Sequence, residues 1–168
     1  MWIKSVGWFC VLVLSGLVAL IPQRAAAQDT STTEEREQWV ATTHKLESSP
    51  LDDGVNKQGE SALKQVSDAH DIHVPLCPSL LSEFNGMKYS YSHQITRQYM
   101  LASTAFLIEN PDKTSDLGAM NLAAVESVLK TYNAIVQQKP EAKSKTLDDL
   151  LKKQSQGKLK DSIQKQCH

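Results

Sequence analysis

The chain has 168 residues, with 18 Lys and Arg against 19 Asp and Glu, a formal net charge of −1. That length is the size of one ordinary domain. The lack of a basic excess excludes nucleic-acid binding as the main role.

The N-terminus reads as an export signal. Lys4 precedes a nearly continuous apolar run over residues 6–21, Pro22 breaks it, and Ala25, Ala26 and Ala27 supply small residues at a processing site. The run is short of the roughly 20 residues that a spanning helix needs, so residues 1–27 are expected to be cleaved before Gln28. Cys10 lies inside the run without a lipobox around it. Removal of Lys4 and Arg24 leaves 16 basic against 19 acidic side chains in 141 residues. These are unevenly spread: residues 28–76 hold ten acidic and four basic groups, and residues 77–168 hold nine and twelve. The two remaining cysteines, Cys77 and Cys167, are an even pair in an exported chain, which favours a disulfide.

Residues 28–33 form a polar, disordered tail. Thr32 with Glu35 has the spacing of a capping box, and a helix follows over about 34–46 with Trp39, Thr43 and Leu46 on one face. Ser49 and Pro50 fit the start of the next helix, carrying Leu51, Val55, Ala62 and Val66. Its two glycines, Gly54 and Gly59, each cost about 1 kcal/mol relative to alanine. That helix is expected to be irregular or closely packed. Residues 70–76 read as an extended link. Pro78 opens a short helix with Leu80, Leu81 and Phe84, and Asn85-Gly86 marks a turn. Residues 87–91 are the one weak strand candidate.

The strongest periodicity runs from Ser92 to Glu109 through Ile95, Tyr99, Ala102 and Phe106, and stops at Asn110-Pro111. A second long helix, capped at Ser115 or Asp116 and ended by Lys139-Pro140, carries two adjacent apolar stripes, the mark of a largely buried element. Thr146 and Asp149 open another helix, Gly157 ends it, and the last helix places Leu159, Ile163 and Cys167 on one face. The predicted fold is all-α, a small antiparallel bundle of about five to seven helices closed by one disulfide. Residues 78–167 form the core bundle and residues 34–70 less regular helices against it.

Chemistry-bearing clusters are sparse. Asp68, His70, Asp71 and His73, with Cys77 and the terminal Cys167-His168, contain metal-ligand types, but their spacing matches no zinc pattern and a disulfide removes both thiolates. His70 and His73 are therefore weak metal candidates beside the simpler reading, a solvated connector. Tyr89, Tyr91, His93 and Arg97 form a candidate partner surface. A hydrolase site using His70, His73 or His93 lacks a Gly-x-Ser-x-Gly elbow and an acidic orienter placed by sequence. Asp52-Asp53 and Asp148-Asp149 are explained by helix first turns. The eight lysines between Lys139 and Lys165 are interleaved with four acids, as on a solvated face or one drawn to an anionic membrane or acidic partner. No cofactor motif is present.

Through Leu46-Glu-x-x-Pro50-Leu-Asp52 and the helices after Cys77, the chain resembles small exported proteins of bacteria, which bring no activity with them. In its two-cysteine helical layout it is similar to periplasmic acid-stress chaperones and toxin-immunity proteins, by architecture alone. The expectation is a periplasmic or extracellular bacterial protein without an integral membrane segment after cleavage. Its expected role is to bind or shield an envelope protein or other macromolecule without catalysis. The alternatives are a small-ligand or metal-binding module and, third, the histidine hydrolase.

Overall fold

A computed structural model describes residues 30–167. The expected signal peptide, its cut after Ala27, tail residues Gln28 and Asp29, and His168 lie outside the described residues. Among the described residues the chain forms α1 (Thr33–Ser48), α2 (Asp53–Asp68), α3 (Pro78–Gly86), α4 (Ser92–Glu109), α5 (Leu117–Gln138), α6 (Lys145–Ser155) and α7 (Leu159–Gln166). A short 3-10 turn, Pro111–Lys113, joins α4 to α5. No strand occurs among them, and residues 87–91 lead into α4 as a turn.

Local chemistry fixes most helix ends. The Thr32 hydroxyl accepts from the Glu35 N–H at 3.2 Å, and the Glu35 carboxylate accepts from the Thr32 N–H at 2.7 Å. The box thus satisfies two donors that α1 would leave orphaned. The bond from the Thr32 N–H also holds the Glu35 carboxyl below its ordinary range. α2 starts later than Ser49-Pro50: Asp52 is its cap, accepting the Val55 N–H at 2.8 Å, and the Ser-Pro pair forms the turn before it. Asp116 caps α5 through the Ala119 N–H at 2.9 Å. Asn110 and Lys139, each followed by proline, close α4 and α5. Asn85-Gly86 ends α3 rather than forming a separate turn. Ser144, two residues ahead of Thr146, is the N-cap of α6: the Ser144 N–H donates to the Tyr132 hydroxyl at 2.9 Å and that hydroxyl reaches Asp148 at 2.7 Å. Gly157, with φ at +70°, makes the reversal into α7 in a region other residues rarely adopt.

α4 and α5 lie against each other at the centre, and α4 is shared between two apolar clusters. The larger takes Leu80 and Phe84 from α3, Ile95 and Tyr99 from α4, Val125, Val128, Leu129 and Ile135 from α5, Leu147 and Leu150 from α6, and Leu159 and Ile163 from α7. The smaller consists of Trp39 and Leu46 of α1, Ala62 of α2 and Leu101 of α4. Each fully buried side chain of this size contributes about 1.5–3 kcal/mol relative to exposure, so the first cluster holds most of the stability. A polar seam crosses the centre. Gln98 donates to the Thr43 carbonyl at 3.1 Å and to the Ser127 hydroxyl at 2.7 Å, joining α1, α4 and α5 in the buried interior.

α2 runs unbroken through Gly54 and Gly59. Gly59 is buried, and a Cβ there would sit 2.9 Å from Leu46 Cδ1 and 3.1 Å from Arg97 Nε. Close packing, the second of the two expected outcomes, is what this glycine supplies.

The expected bridge is present: Cys77 and Cys167 are disulfide-bonded, with their Cα atoms 5.4 Å apart. It ties the end of α7 to the start of α3. Beside it, the Tyr99 hydroxyl accepts the Cys77 N–H at 3.0 Å and donates to Asn121 Oδ1 at 2.7 Å. Burial pushes the Tyr99 hydroxyl above the usual tyrosine range, so it remains a proton donor. No helix among the described residues is long and apolar enough to cross a membrane.

Candidate functional site

An extended concavity lies along α1 and the end of α4. Its largest basin, about 650 Å³, is floored by Val40, Ala41 and Ile108 and rimmed by Thr33, Arg36, Glu37, His44 and Glu109. The apolar floor follows from α1 having only one face in the small cluster: Trp39, Thr43 and Leu46 point inward, leaving Val40 and Ala41 beside them towards the edge. His44 bridges the trough, with Nε2 3.2 Å from Glu109 Oε1 and Nδ1 3.6 Å from Glu47 Oε2. Past this bridge a smaller basin of about 150 Å³ continues towards α5, where Lys130 meets Glu47 at 3.1 Å. On the other side, Ile108 and Arg36 also line a hollow of about 160 Å³ with Ile72, Leu107 and His73.

The α1 end of the trough is fixed by a polar clamp. Asp71 accepts from the Ser31 N–H and from the Ser31 hydroxyl, each at 2.9 Å, and pairs with Arg36 at 2.6 Å. Arg36 Nε donates to the Ser31 hydroxyl at 2.8 Å. The Ser31 N–H, with the Arg36 guanidinium and the Ser31 hydroxyl, holds the Asp71 carboxyl down at about 2. The segment ahead of α1 and the link after α2 are thereby locked together.

The residues singled out from sequence are distributed differently. His70 and His73 lie on the exposed link; His73 lines the hollow beside Arg36, and Cys77 is engaged in the bridge. No group of three or more His, Cys, Asp or Glu side chains suited to a metal occurs among the described residues. Tyr89 and Tyr91 are half-buried and packed edge-to-face at 5.6 Å, and the Tyr89 hydroxyl donates to the Ala142 carbonyl at 3.1 Å. Desolvation pushes that hydroxyl well above its ordinary range. Only His93 of the four is exposed.

Arg97 does not belong to a surface. It is 3% exposed, and its guanidinium pairs with Glu60 and donates to Asn56 Oδ1 at 2.6 Å. The reason is helical phase: one turn below Leu101, its long arm passes under Gly59 into the α2–α4 contact. Glu60 also lies 3.6 Å from His93 Nδ1, an acidic neighbour that sequence spacing did not show.

Sequence reasoning missed the trough altogether. His44 and Glu109 are 65 residues apart, and only the docking of α1 on α4 brings them together. The one available signal was Val40-Ala41, apolar positions outside the inward stripe of α1. In comparisons with protein-family models, curated proteins and solved structures, no match was found.

Proposed function

We propose that the protein is an exported, non-catalytic binding module of the cell envelope, and that it receives a macromolecular partner along the trough between α1 and α4. The observation that carries this reading is the shape and lining of that trough: an apolar floor of Val40, Ala41 and Ile108, open along its length, with charged groups of both signs on the rim. Compact ligands are held by enclosure on most sides with a few converging polar groups. An open channel with apolar floor and polar edge is the anatomy of a partner interface. The disulfide supports residence in an oxidising compartment, in keeping with the export signal read from residues 1–27.

The test is site-specific photo-crosslinking in the native envelope. A photoreactive side chain replacing exposed Ala41 is expected to yield one discrete adduct, and the same group at Lys152, exposed on α6, none. Ala41→Arg, which occupies the floor without disturbing the buried face of α1, is expected to lose the partner. Equal adducts at both positions, or retention by Ala41→Arg, would refute the assignment.

A further inference from the structure

We infer that the Cys77–Cys167 bridge is an exchange site, entered at Cys167 by the thiolate of a dithiol oxidoreductase, with Cys77 as the departing sulfur. This stands on the bridge itself and is independent of the trough.

Three features give the two sulfurs unequal roles. The first is access. Cys77 is only 4% exposed, whereas Cys167 is half-buried and lines a groove of about 380 Å³. Leu117, Gly118, Asn121, Ile163 and Gln164 line it too. Leu117 is the single large apolar side chain exposed among the described residues, at 45%, and it stands at this groove. Thiolates attack the disulfide sulfur they can reach.

The second is the stability of the leaving group. Cys77 is the N-cap residue of α3, and no side chain caps that helix. The first-turn N–H groups of Ser79 and Leu80 therefore face the position at which a cap acceptor sits. A thiolate at Cys77 would take that role, and a sulfur anion at a helix N-terminus is favoured by the macrodipole.

The third is the opposite placement of Cys167. It is the C-cap residue of α7, at the negative end of that helix. The intact bridge also holds Cys77 Sγ 3.9 Å from the Gln166 carbonyl at that end, but once the bond is cleaved Cys77 can turn to the first turn of α3 whereas Cys167 stays at the end of α7, which makes Cys167 the poorer leaving group. Burial of Cys77 opposes its ionisation, but the open first turn of α3 offsets this, and access selects the same direction.

The chemistry balances without a further reagent. The partner thiolate bonds to Cys167 Sγ, the Cys77–Cys167 bond breaks, and its electron pair leaves with Cys77. The partner's second thiol then attacks the mixed disulfide. This releases Cys167, and the partner becomes a disulfide as the bridge gains two electrons. Reoxidation by a partner disulfide runs the same steps backwards through Cys167. Opening frees the end of α7, which otherwise rests on Leu159 and Ile163.

The test uses the intact bridged protein without denaturant. Reduced glutathione is added, thiols are trapped rapidly with N-ethylmaleimide, and mixed disulfides are located by peptide mass. Glutathione is expected on Cys167 in roughly tenfold or greater excess, with the maleimide on Cys77. Leu117→Trp, at an exposed site that can obstruct the groove, is expected to slow reduction severalfold at unchanged Tm. Glutathione on Cys77, a bridge that resists reduction until denaturant is added, or an unchanged rate in Leu117→Trp would each overturn the inference.

Discussion

Gly59 of α2 faces Arg97 of α4 so closely that a methyl group on the glycine would lie 3.1 Å from Nε and 3.2 Å from Cζ of the guanidinium. The same methyl would lie 2.9 Å from Leu46 Cδ1. Leu46 and Arg97 are 1% and 3% exposed, so neither can swing aside into solvent. Gly59→Ala would gain about 1 kcal/mol of helix propensity. Overpacking costs about 1–3 kcal/mol, and with two rigid neighbours the cost wins. Chemical denaturation is expected to show Gly59→Ala as a net loss. Gly86→Ala, where a Cβ meets nothing within 4 Å, should be neutral or stabilising.

Tyr99→Phe removes one oxygen that serves two partners. The Cys77 N–H loses its acceptor and Asn121 Oδ1 loses its donor, both in the interior. A buried polar group left unpaired costs about 1–3 kcal/mol. We expect a loss in that range with unchanged helix content by circular dichroism. A loss below 0.5 kcal/mol, approximately the low end for a single net hydrogen bond, would show that these contacts do not matter.

The Asp71 clamp has a defined acid limit. Its folded carboxyl is held at about 2, below the ordinary aspartate value of about 3.9 in an unfolded chain. A group with a depressed folded value stabilises the fold above its unfolded value. That contribution is lost as pH falls from about 4 through about 2. The Ser31 amide resonance in NMR is expected to titrate with a midpoint near 2, and Asp71→Asn should abolish that titration. A midpoint near 4 would show that the contacts from Ser31 and Arg36 are not formed in solution.

Replacing both cysteines by serine opens a loop whose ends are 90 residues apart. Chain entropy sets the effect at about 4–5 kcal/mol, and measured values commonly run at about 2–4. The double variant should remain folded, because Cys77 and Cys167 are only two of the many apolar side chains in and against the larger cluster, with a lower urea midpoint. Equal midpoints for the bridged and serine forms would refute this.

Helix number, the proline stops after Asn110 and Lys139, and the bridge were legible because each depends on near neighbours or on a parity rule. α4 was only half legible. Its Ile95, Tyr99, Ala102 stripe gave one buried face, yet Arg97, Gln98, Ser103 and Thr104 are buried as well. Polar side chains at helical spacing look like a solvent face, yet α2 covers Arg97 and α1 and α5 enclose Gln98. Leu117 errs the other way: its place in the apolar stripe of α5 predicts burial, but it lies in the first turn, at the open groove between α5 and the end of α7. The trough was illegible for the same reason as the buried face of α4. It exists only between helices, and nothing within α1 announces which neighbour His44 will meet.

The covalent ring closed by Cys77 and Cys167 encloses α3 to α7 and leaves α1 and α2 outside as a pendant arm. Whatever the crosslink does to the entropy of the ring, it does not restrain the arm. The arm is held by its small apolar cluster, by Leu51 and Leu76 against the larger one, by the Gln98 seam and by a few ion pairs. Partial opening therefore has a preferred seam, and proteases should first nick residues 69–76, releasing a helical hairpin from a ring that stays shut.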